Sequence, residues 1–399
     1  MSRTQEVLVL GCGVALLVGA LHLALYFRLI RLLAPRYRRA ALGVLVVLGA
    51  GLCATLLIGR LYPVAALRAP LFPFAVWLGA VLLFAPALAA LEVVRGGLWA
   101  AQRLARGKRA NPDHLDPERR DFLIRSATGL AIGGVTGATT LGVAATMGEW
   151  AVREVEVPLA RLPLALDGFT IVQITDLHLG PVRGGEWLAK VVAAVNALQP
   201  DLIAITGDLV DGSVAQLGEE LDCLRTLSAP CGVFFVTGNH EYYGDADGWL
   251  ETLAGLGVWT LRNERVSIGL ADGPSFDLAG VDDFDAKGML EGHAPDLPKA
   301  CLGRDPNREL VLLAHQPRAI EEAAKHGVGL QLSGHTHGGQ FWPLGFFFSL
   351  QCPYVRGLYK HDQTWVYVSS GTGFWGYPIR LGSRPEIGRI TLRSLDDTN

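Results

Sequence analysis

Hydrophobic and polar positions follow two different patterns along the chain, and the change comes near residue 150. Before it, apolar residues run on almost without interruption. The stretches 7–27, 40–59, 71–94 and 126–147 are each long enough to cross a hydrocarbon core of about 30 Å. Within them only Glu92, close to an end, carries a full charge. Four such runs in a soluble domain would leave it almost no polar surface, so residues 1–150 are predicted to form a transmembrane helical domain of about four spans.

After residue 150 the apolar runs shorten, become rich in β-branched residues and end in polar clusters. "FTIVQITDLHLG" predicts a buried strand running into a loop. "GEWLAKVVAAVNALQ" predicts an amphipathic helix with Trp187, Val191, Val195 and Leu198 on its apolar face. Strand "DLIAITGDLVDG", a helix over 217–227, strand "GVFFVTGNHEYY" and a helix over 249–256 continue a βαβαβα progression. Further strands are predicted at 258–261, 275–279, 310–314, 329–332, 364–369 and 387–392, with helical character at 317–326. The expected fold of residues 151–399 is α/β: two sheets packed face to face with helices outside, an α/β sandwich. The Pro/Gly/Asp-rich stretch 288–306 reads as an exposed excursion between strands.

Charge adds an orientation. Arg28, Arg31, Arg36, Arg38 and Arg39 follow the first apolar run, and Arg95, Arg103, Arg106, Lys108, Arg109, Arg119, Arg120 and Arg125 follow the third. Only Arg60 and Arg68 lie in the connection between the second and third runs. Connections rich in Lys and Arg stay in the cytoplasm, so four crossings carry everything after residue 147 outward. The expected location is a bacterial inner membrane, crossed several times, with the C-terminal domain on the periplasmic or extracytoplasmic side. The fourth run is rich in Gly, Ala and Thr, and "ERRDFLIR" before it resembles a twin-arginine export signal through Arg119, Arg120, Phe122 and Leu123. Glu118 and Ile124 depart from that signal. An export signal and an ordinary anchor both remain open, and both export the C-terminal part.

Of the 35 basic and 38 acidic residues, 16 and 7 lie in residues 1–150, which leaves 19 against 31 and a net charge of −12 for the remainder. Domains that bind DNA or RNA carry a basic footprint, so nucleic acid is not an expected partner. Cys223, Cys231, Cys301 and Cys352 fall in the exported part, where an oxidising compartment permits one or two disulfides. None of them has the spacing of a zinc site.

Chemistry gathers where predicted strands end. The clusters are Asp176 with His178, Asp208 with Asp211, Asn239 with His240 and Glu241, His315 alone, and His335 with His337. Ligands in α/β sheets bind at the C-terminal ends of strands. Any one cluster is explained by a cap or a turn; five of them, each after a β run, are not. Imidazole and carboxylate without thiolate suit Mn, Fe or Zn. Asp176, His178, Asp208, Asn239, His315, His335 and His337 make seven donors, too many for one ion with an open position and suited to two ions sharing a carboxylate. Water between two such ions loses a proton near neutral pH and can attack phosphorus in line.

The ordered pattern D-x-H, G-D-x-x-D, G-N-H-[DE], a lone H and G-H-x-H is met by "DLH", "GDLVD", "GNHE", His315 and "GHTH". It resembles that of the calcineurin-like metallophosphoesterases over residues 170–340. The resemblance implies Asp176, His178, Asp208 and His337 around one metal, and Asp208 as a bridge with Asn239, His315 and His335 around the other. It implies that His240 contacts phosphate and protonates the leaving oxygen, with Asp211 orienting it; Glu241 is expected to cap its loop. "GHTHGGQ", "GLYK" and "SSGTGFWGYPIRLGSRPEI" are similar to membrane-tethered bacterial phosphoesterases of the YkuE and YaeI type.

The expected activity is hydrolysis of a phosphate ester or pyrophosphate with two divalent or trivalent transition-metal ions. The expected partners are the bilayer and a phosphorylated lipid or small-molecule substrate. "FWPLGFFFSLQCPY" places Phe341, Trp342, Leu344, Phe346, Phe347, Phe348 and Leu350 directly after the ligands, either as buried core or as a lipid-facing patch. Arg380 and Arg384 are candidates for holding a second phosphate, and "GVDDFDA" reads as a strand-end loop because it lacks histidines. The rival reading is a non-catalytic, metal-stabilised membrane scaffold or sensor. An intact His240 and Asp211 weigh against it, since a binding-only descendant is free to lose both.

Overall fold

The computed structural model describes residues 3–61, 67–106, 117–269, 273–341, 345–346, 350 and 352–395. The chain forms two units, one of residues 1–61, 69–144 and 377–379, the other of the rest.

The first unit holds four long helices: α1 (Arg3–Arg28), α2 (Pro35–Leu61), α3 (Arg68–Arg106) and α4 (Pro117–Met147). Each carries a window long and apolar enough to cross a membrane, at Gly11–Leu32, Pro35–Leu57, Arg68–Val93 and Arg125–Met147. The predicted runs lie inside or overlap these helices, and the segment "ERRDFLIR" is helical and continuous with the run that follows it. Helix α3 continues through Pro73 and Pro86. Each proline lacks one backbone donor, a loss that helices in apolar surroundings tolerate. His22 of α1 is buried against Trp77 of α3: the indole Nε1, which can only donate, lies 2.9 Å from His22 Nε2. The remaining ring hydrogen is therefore on Nδ1, which donates to the Val18 carbonyl at 2.8 Å. At the end of α1, Arg28 pairs with Glu92 of α3 at 3.0 Å.

The second unit is built on two sheets of six strands each. The first sheet takes β1 (Ala151–Leu159), β2 (Thr170–Ile174), β3 (Leu202–Thr206), β4 (Val233–Val236), β5 (Trp259–Thr260) and β12 (Glu386–Ser394), in the order β1-β12-β2-β3-β4-β5. The second takes β6 (Glu264–Gly269), β7 (Ser275–Gly280), β8 (Leu310–Leu313), β9 (Leu330–Ser333), β10 (Gly357–His361) and β11 (Thr364–Val368), in the order β10-β11-β9-β8-β7-β6. The helices are α5 (Gly185–Ala197), α6 (Val214–Leu217), α7 (Asn239–Tyr242), α8 (Ala246–Gly255), α9 (Leu297–Ala300) and α10 (Ile320–Lys325).

Period-two alternation builds the sandwich. Ile171, Leu202, Ala204, Phe234 and Val236 face inward and meet Leu278, Val311, Leu313, Leu330 and Leu332 of the other sheet. Val172, Ile174, Ile203, Ile205 and Phe235 face outward, under Leu188, Val191 and Val195 of α5 and Leu253 of α8. On the far side Leu310, Leu312, Val366 and Val368 pack under Leu297, Ala300, Ile320 and Ala323. The expected α/β sandwich is thus formed. Parallel pairing of β2, β3 and β4, and of β7, β8 and β9, brings the C-terminal ends of the strands that precede the candidate ligands to the same side within each sheet.

Several details differ from the sequence reading. Strands β1, β6 and β10 were not expected, and 218–226 is a run of tight 3-10 turns instead of a regular α-helix. The stretch 288–306 is not exposed throughout, because Leu297 and Ala300 of α9 join the outer core and His293 is buried. All six cysteines are free thiols.

Candidate metal centre

Each polar cluster begins where its strand stops, and the backbone turns there in an uncommon way. Asp176, His178, Asp208, His335 and His337 all have positive φ, at 54°, 48°, 51°, 71° and 51°. Left-handed backbone disfavours residues with a side chain by about 1–2 kcal/mol each, so the sandwich beneath holds these five turns in place. The turns direct side chains from both sheets into one cleft.

Asp176, His178 and His337 bring one donor atom each within 4.8 Å of one another, and so do Asp208, His315 and His335. In the first group the Nε2 atoms of His178 and His337 lie 3.0 Å apart, with Asp176 Oδ1 3.4 Å from His337. In the second, His315 Nε2 is 3.2 Å from Asp208 Oδ2 and 3.3 Å from His335 Nδ1, which is 3.0 Å from Asn239 Oδ1. Asp208 Oδ2 is also 3.7 Å from His178 Nε2, so this carboxylate joins the groups. All seven residues predicted as metal ligands therefore converge. A third grouping, Asp208 with His178 and His240, overlaps the others.

The donor set fits cations. His315 Nδ1 lies 2.7 Å from the Thr206 carbonyl, which can only accept, so Nδ1 carries the hydrogen and a neutral ring turns its Nε2 lone pair toward the Asp208 carboxylate. Two lone pairs at that distance repel unless a proton or a cation lies between them. Without metal a proton serves: burial opposes the charge, but Asp208 outweighs it and holds His315 well above the ordinary histidine range. Burial also opposes the charge on Asp208, and His315 and His240 outweigh it, keeping the carboxylate ionised. Burial and the neighbouring His315 hold His335 down to about 4, while burial, His178 and Arg380 keep His337 neutral as well. Neutral imidazole is the form that binds metal.

Around the donors the loops are tied together. Thr175 Oγ1 donates to Asp176 Oδ2 at 2.8 Å, and the His335 amide donates to the same carboxylate at 3.0 Å. Glu241 accepts from the amides of Gly238, Leu209 and Asp208 at 2.6, 2.8 and 3.1 Å, which makes it the cap expected of it. Gly334 lies so close to the Asp176 carboxylate and the Thr175 hydroxyl that a Cβ there has no room.

His240 stands beside the ligands. Its Nδ1 lies 2.6 Å from Asp211 Oδ1, which leaves Nε2 on the side of Asp208, 4.0 Å away. Burial opposes its charge, yet Asp208 and the hydrogen bond from Asp211 lift it to about 9. A cation at Asp208 would cancel much of that pull and return His240 toward neutrality.

One expectation changes. Arg380 is 1% exposed, and its guanidinium donates to the carbonyls of Gly373 and His337, at 2.5 and 3.1 Å. It braces the His337 loop from behind and is not available to a phosphate, whereas Arg384 is exposed. In the apolar segment Phe341 is buried while Phe346 and Leu350 are exposed; Trp342, Leu344, Phe347 and Phe348 lie outside the described residues. "GVDDFDA" is a strand-end loop as read: Asp282 takes Arg262 at 2.8 Å and Asp283 takes the Gln316 amide at 3.0 Å. The reading missed Arg183, buried between the rings of Phe374 and Trp187 at 3.6 and 4.4 Å. An arginine in a glycine-rich loop carries no local signal of that placement.

Residues 169–339 match the family described as calcineurin-like phosphoesterase. The uncharacterized metallophosphoesterase YkuE of Bacillus subtilis (strain 168) is 34% identical over 287 residues, a match that covers 69% of this chain and 98% of YkuE. This chain belongs to the calcineurin-like phosphoesterase family. Two proteins named transmembrane protein with metallophosphoesterase domain are also similar to it. The Bos taurus protein is 41% identical over 290 residues, covering 70% of this chain, and the Danio rerio protein 40% over 248 residues, covering 60%. The chain spans 65% and 56% of those two relatives. The centre described above thus lies in a calcineurin-like domain, and the chain's four apolar helices, with its similarity to proteins named as transmembrane, mark it as a membrane protein.

Proposed function

We propose that this phosphoesterase hydrolyses a phosphate ester or pyrophosphate at the outer face of a bacterial inner membrane, on a membrane lipid or another envelope substrate. The observation that carries the reading is the shared carboxylate: Asp208 Oδ2 stands 3.2 Å from His315 Nε2 and 3.7 Å from His178 Nε2, between two groups of donors. Asp176, His178, Asp208 and His337 would hold one ion, and Asp208, Asn239, His315 and His335 the other. Bound there, two ions such as Mn, Fe or Zn supply a water activated near neutral pH and neutralise phosphoryl charge.

The chain's own residues do the rest. His240 Nε2 donates a proton to the departing oxygen, and Asp211 fixes its ring by holding Nδ1–H. His240 lies 4.0 Å from Asp208 and outside the set of seven donors, and a metal-stabilised scaffold needs no proton donor there, which supports the enzyme reading over that rival. The acidic balance of residues 151–399 speaks against nucleic acid as substrate. The arginines after the first and third apolar runs support an outward catalytic domain.

The test is turnover of aryl phosphate mono- and diesters by the full chain in detergent, loaded in turn with Mn, Fe and Zn. Turnover that chelation abolishes and metal restores is expected. Two bound ions per chain with no turnover would favour the scaffold. Lipid profiling after inactivation of the protein should show a phosphorylated species accumulating, and a reporter fused after Asn399 that works only in the cytoplasm would reverse the orientation.

A further inference from the structure

We infer that Tyr243 and Trp375 form the subsite for the organic part of the leaving group, and that this subsite takes an apolar alcohol. The inference rests on the hydrolase reading and on His240 as its proton donor. The Tyr243 ring meets the His240 imidazole edge-on, 4.9 Å between centroids at 65°, and the Trp375 indole approaches the same imidazole at 6.4 Å and 83°. Both rings are open to solvent, at 57% and 45% exposure, so neither is explained by the core. Yet both are anchored. The Tyr243 hydroxyl accepts from Asn239 Nδ2 at 3.0 Å. The Trp375 amide donates to Gln340 Oε1 at 3.0 Å and its carbonyl accepts from Gln340 Nε2 at 2.9 Å, and Gln340 closes the loop that carries His337.

Two exposed aromatic rings, on segments tied to two different candidate-ligand loops, thus meet one histidine. An oxygen leaving phosphorus must come within hydrogen-bond reach of His240 to take its proton. Whatever is attached to that oxygen then lies against the surfaces bordering His240 away from the carboxylates, and among the described residues the rings that meet His240 from outside the donor groups are these two. The nearby guanidiniums do not serve that side: Arg183 is stacked between Phe374 and Trp187, and Arg380 is spent on backbone carbonyls. Aromatic faces contribute burial of apolar surface and have nothing to pair with an anion. The chemistry recognised is an alkyl or isoprenyl group on the departing oxygen, which a lipid or a soluble ester can supply.

The experiment compares methyl, butyl and octyl phosphate as substrates of the metal-loaded full chain, because alkanols differ in apolar surface but hardly in leaving ability. In the wild type, kcat/KM should rise by about tenfold or more from methyl to octyl, mostly through KM. In Y243A/W375A the octyl-to-methyl ratio should collapse to within about twofold, while Y243F/W375F should keep it. Calorimetry of octylphosphonate binding to the metal-free chain gives a readout independent of turnover, and the double alanine variant should weaken it. Phosphatidic acid in phosphatidylcholine vesicles identifies the source: preference for it over octyl phosphate marks a lipid, the reverse a soluble ester, and either result retains the subsite. A wild type indifferent to chain length, or an unchanged ratio in Y243A/W375A with two metals bound, overturns the inference alone. A wild type that cleaves no ester in the series overturns the hydrolase reading, and the subsite with it.

Discussion

Asp211 Oδ1 lies 2.6 Å from His240 Nδ1 and 2.9 Å from His178 Nδ1. One carboxylate oxygen therefore orients the proposed proton donor and a metal-ligand candidate together. Replacing His240 by Ala should lower kcat by about 10²–10⁴-fold with both ions retained. Asp211→Asn should lower kcat and also weaken metal binding by about 10–100-fold, because His178 loses its orienting partner as well. Steady-state kinetics at saturating metal, alongside metal titration, separates the two effects. Full activity in His240→Ala would remove it as the donor.

The same pair contributes to the pH response of the metal-free chain. Asp208 and Asp211 outweigh burial to raise folded His240 from 6.5 to about 9, so its contribution to stability is complete below pH 6.5 and is lost as pH rises toward 9. Glu241, pushed up to about 8 by burial and then by Asp208, works in the same direction. Asp211 is held below its ordinary 3.8 because His178 and His240 outweigh burial, so its contribution disappears only on strong acidification. Thermal denaturation of the chelated protein should therefore show a midpoint that falls between pH 6.5 and pH 9. Asp211→Asn should flatten that fall, and metal loading should suppress it.

Arg380 should behave as a brace. Lysine at this position cannot reach the Gly373 and His337 carbonyls together, and each one left unpaired costs about 1–3 kcal/mol. Arg380→Lys is expected to lower the denaturation midpoint and the metal affinity while KM at saturating metal stays close to wild type. A raised KM with metal affinity intact would mean that the guanidinium meets substrate after all.

Gly334 tests the close approach of the two sheets at the site. A methyl group there collides with the Asp176 carboxylate and the Thr175 hydroxyl. Gly334→Ala should keep its circular dichroism spectrum and bind fewer than two ions per chain by elemental analysis.

In the helical unit, Trp77→Phe removes the donor that His22 Nε2 has among the described residues. A loss of about 0.6–2 kcal/mol is expected, read as earlier unfolding in detergent. An unchanged midpoint would show that water or lipid satisfies the ring.

Much of this was legible in order along the chain, because burial leaves its mark locally. Strands β2, β3 and β4 read as continuous apolar runs, and the ligands follow them at once. Strand β1 escaped notice because "AVREVEVPL" mixes charged residues into an edge strand, and its place depends on parallel pairing with β12 at the other end of the domain. Arg380 looked like a surface cation for a similar reason: nothing in "YPIRLGS" announces that its guanidinium is buried among the loops at Gly373 and His337.

The sequence by itself determined which donor types exist, in what order, and that four apolar runs precede them. Tertiary structure alone decided that five candidate ligands turn through positive φ, that His315 presents Nε2 while His335 presents Nδ1, and that Tyr243 and Trp375 both meet His240. The physical reason is distance along the chain. His178 and His337 are 159 residues apart in sequence and 3.0 Å apart in space, and a contact of that kind is set by the packing of two sheets, which no local run of residues encodes.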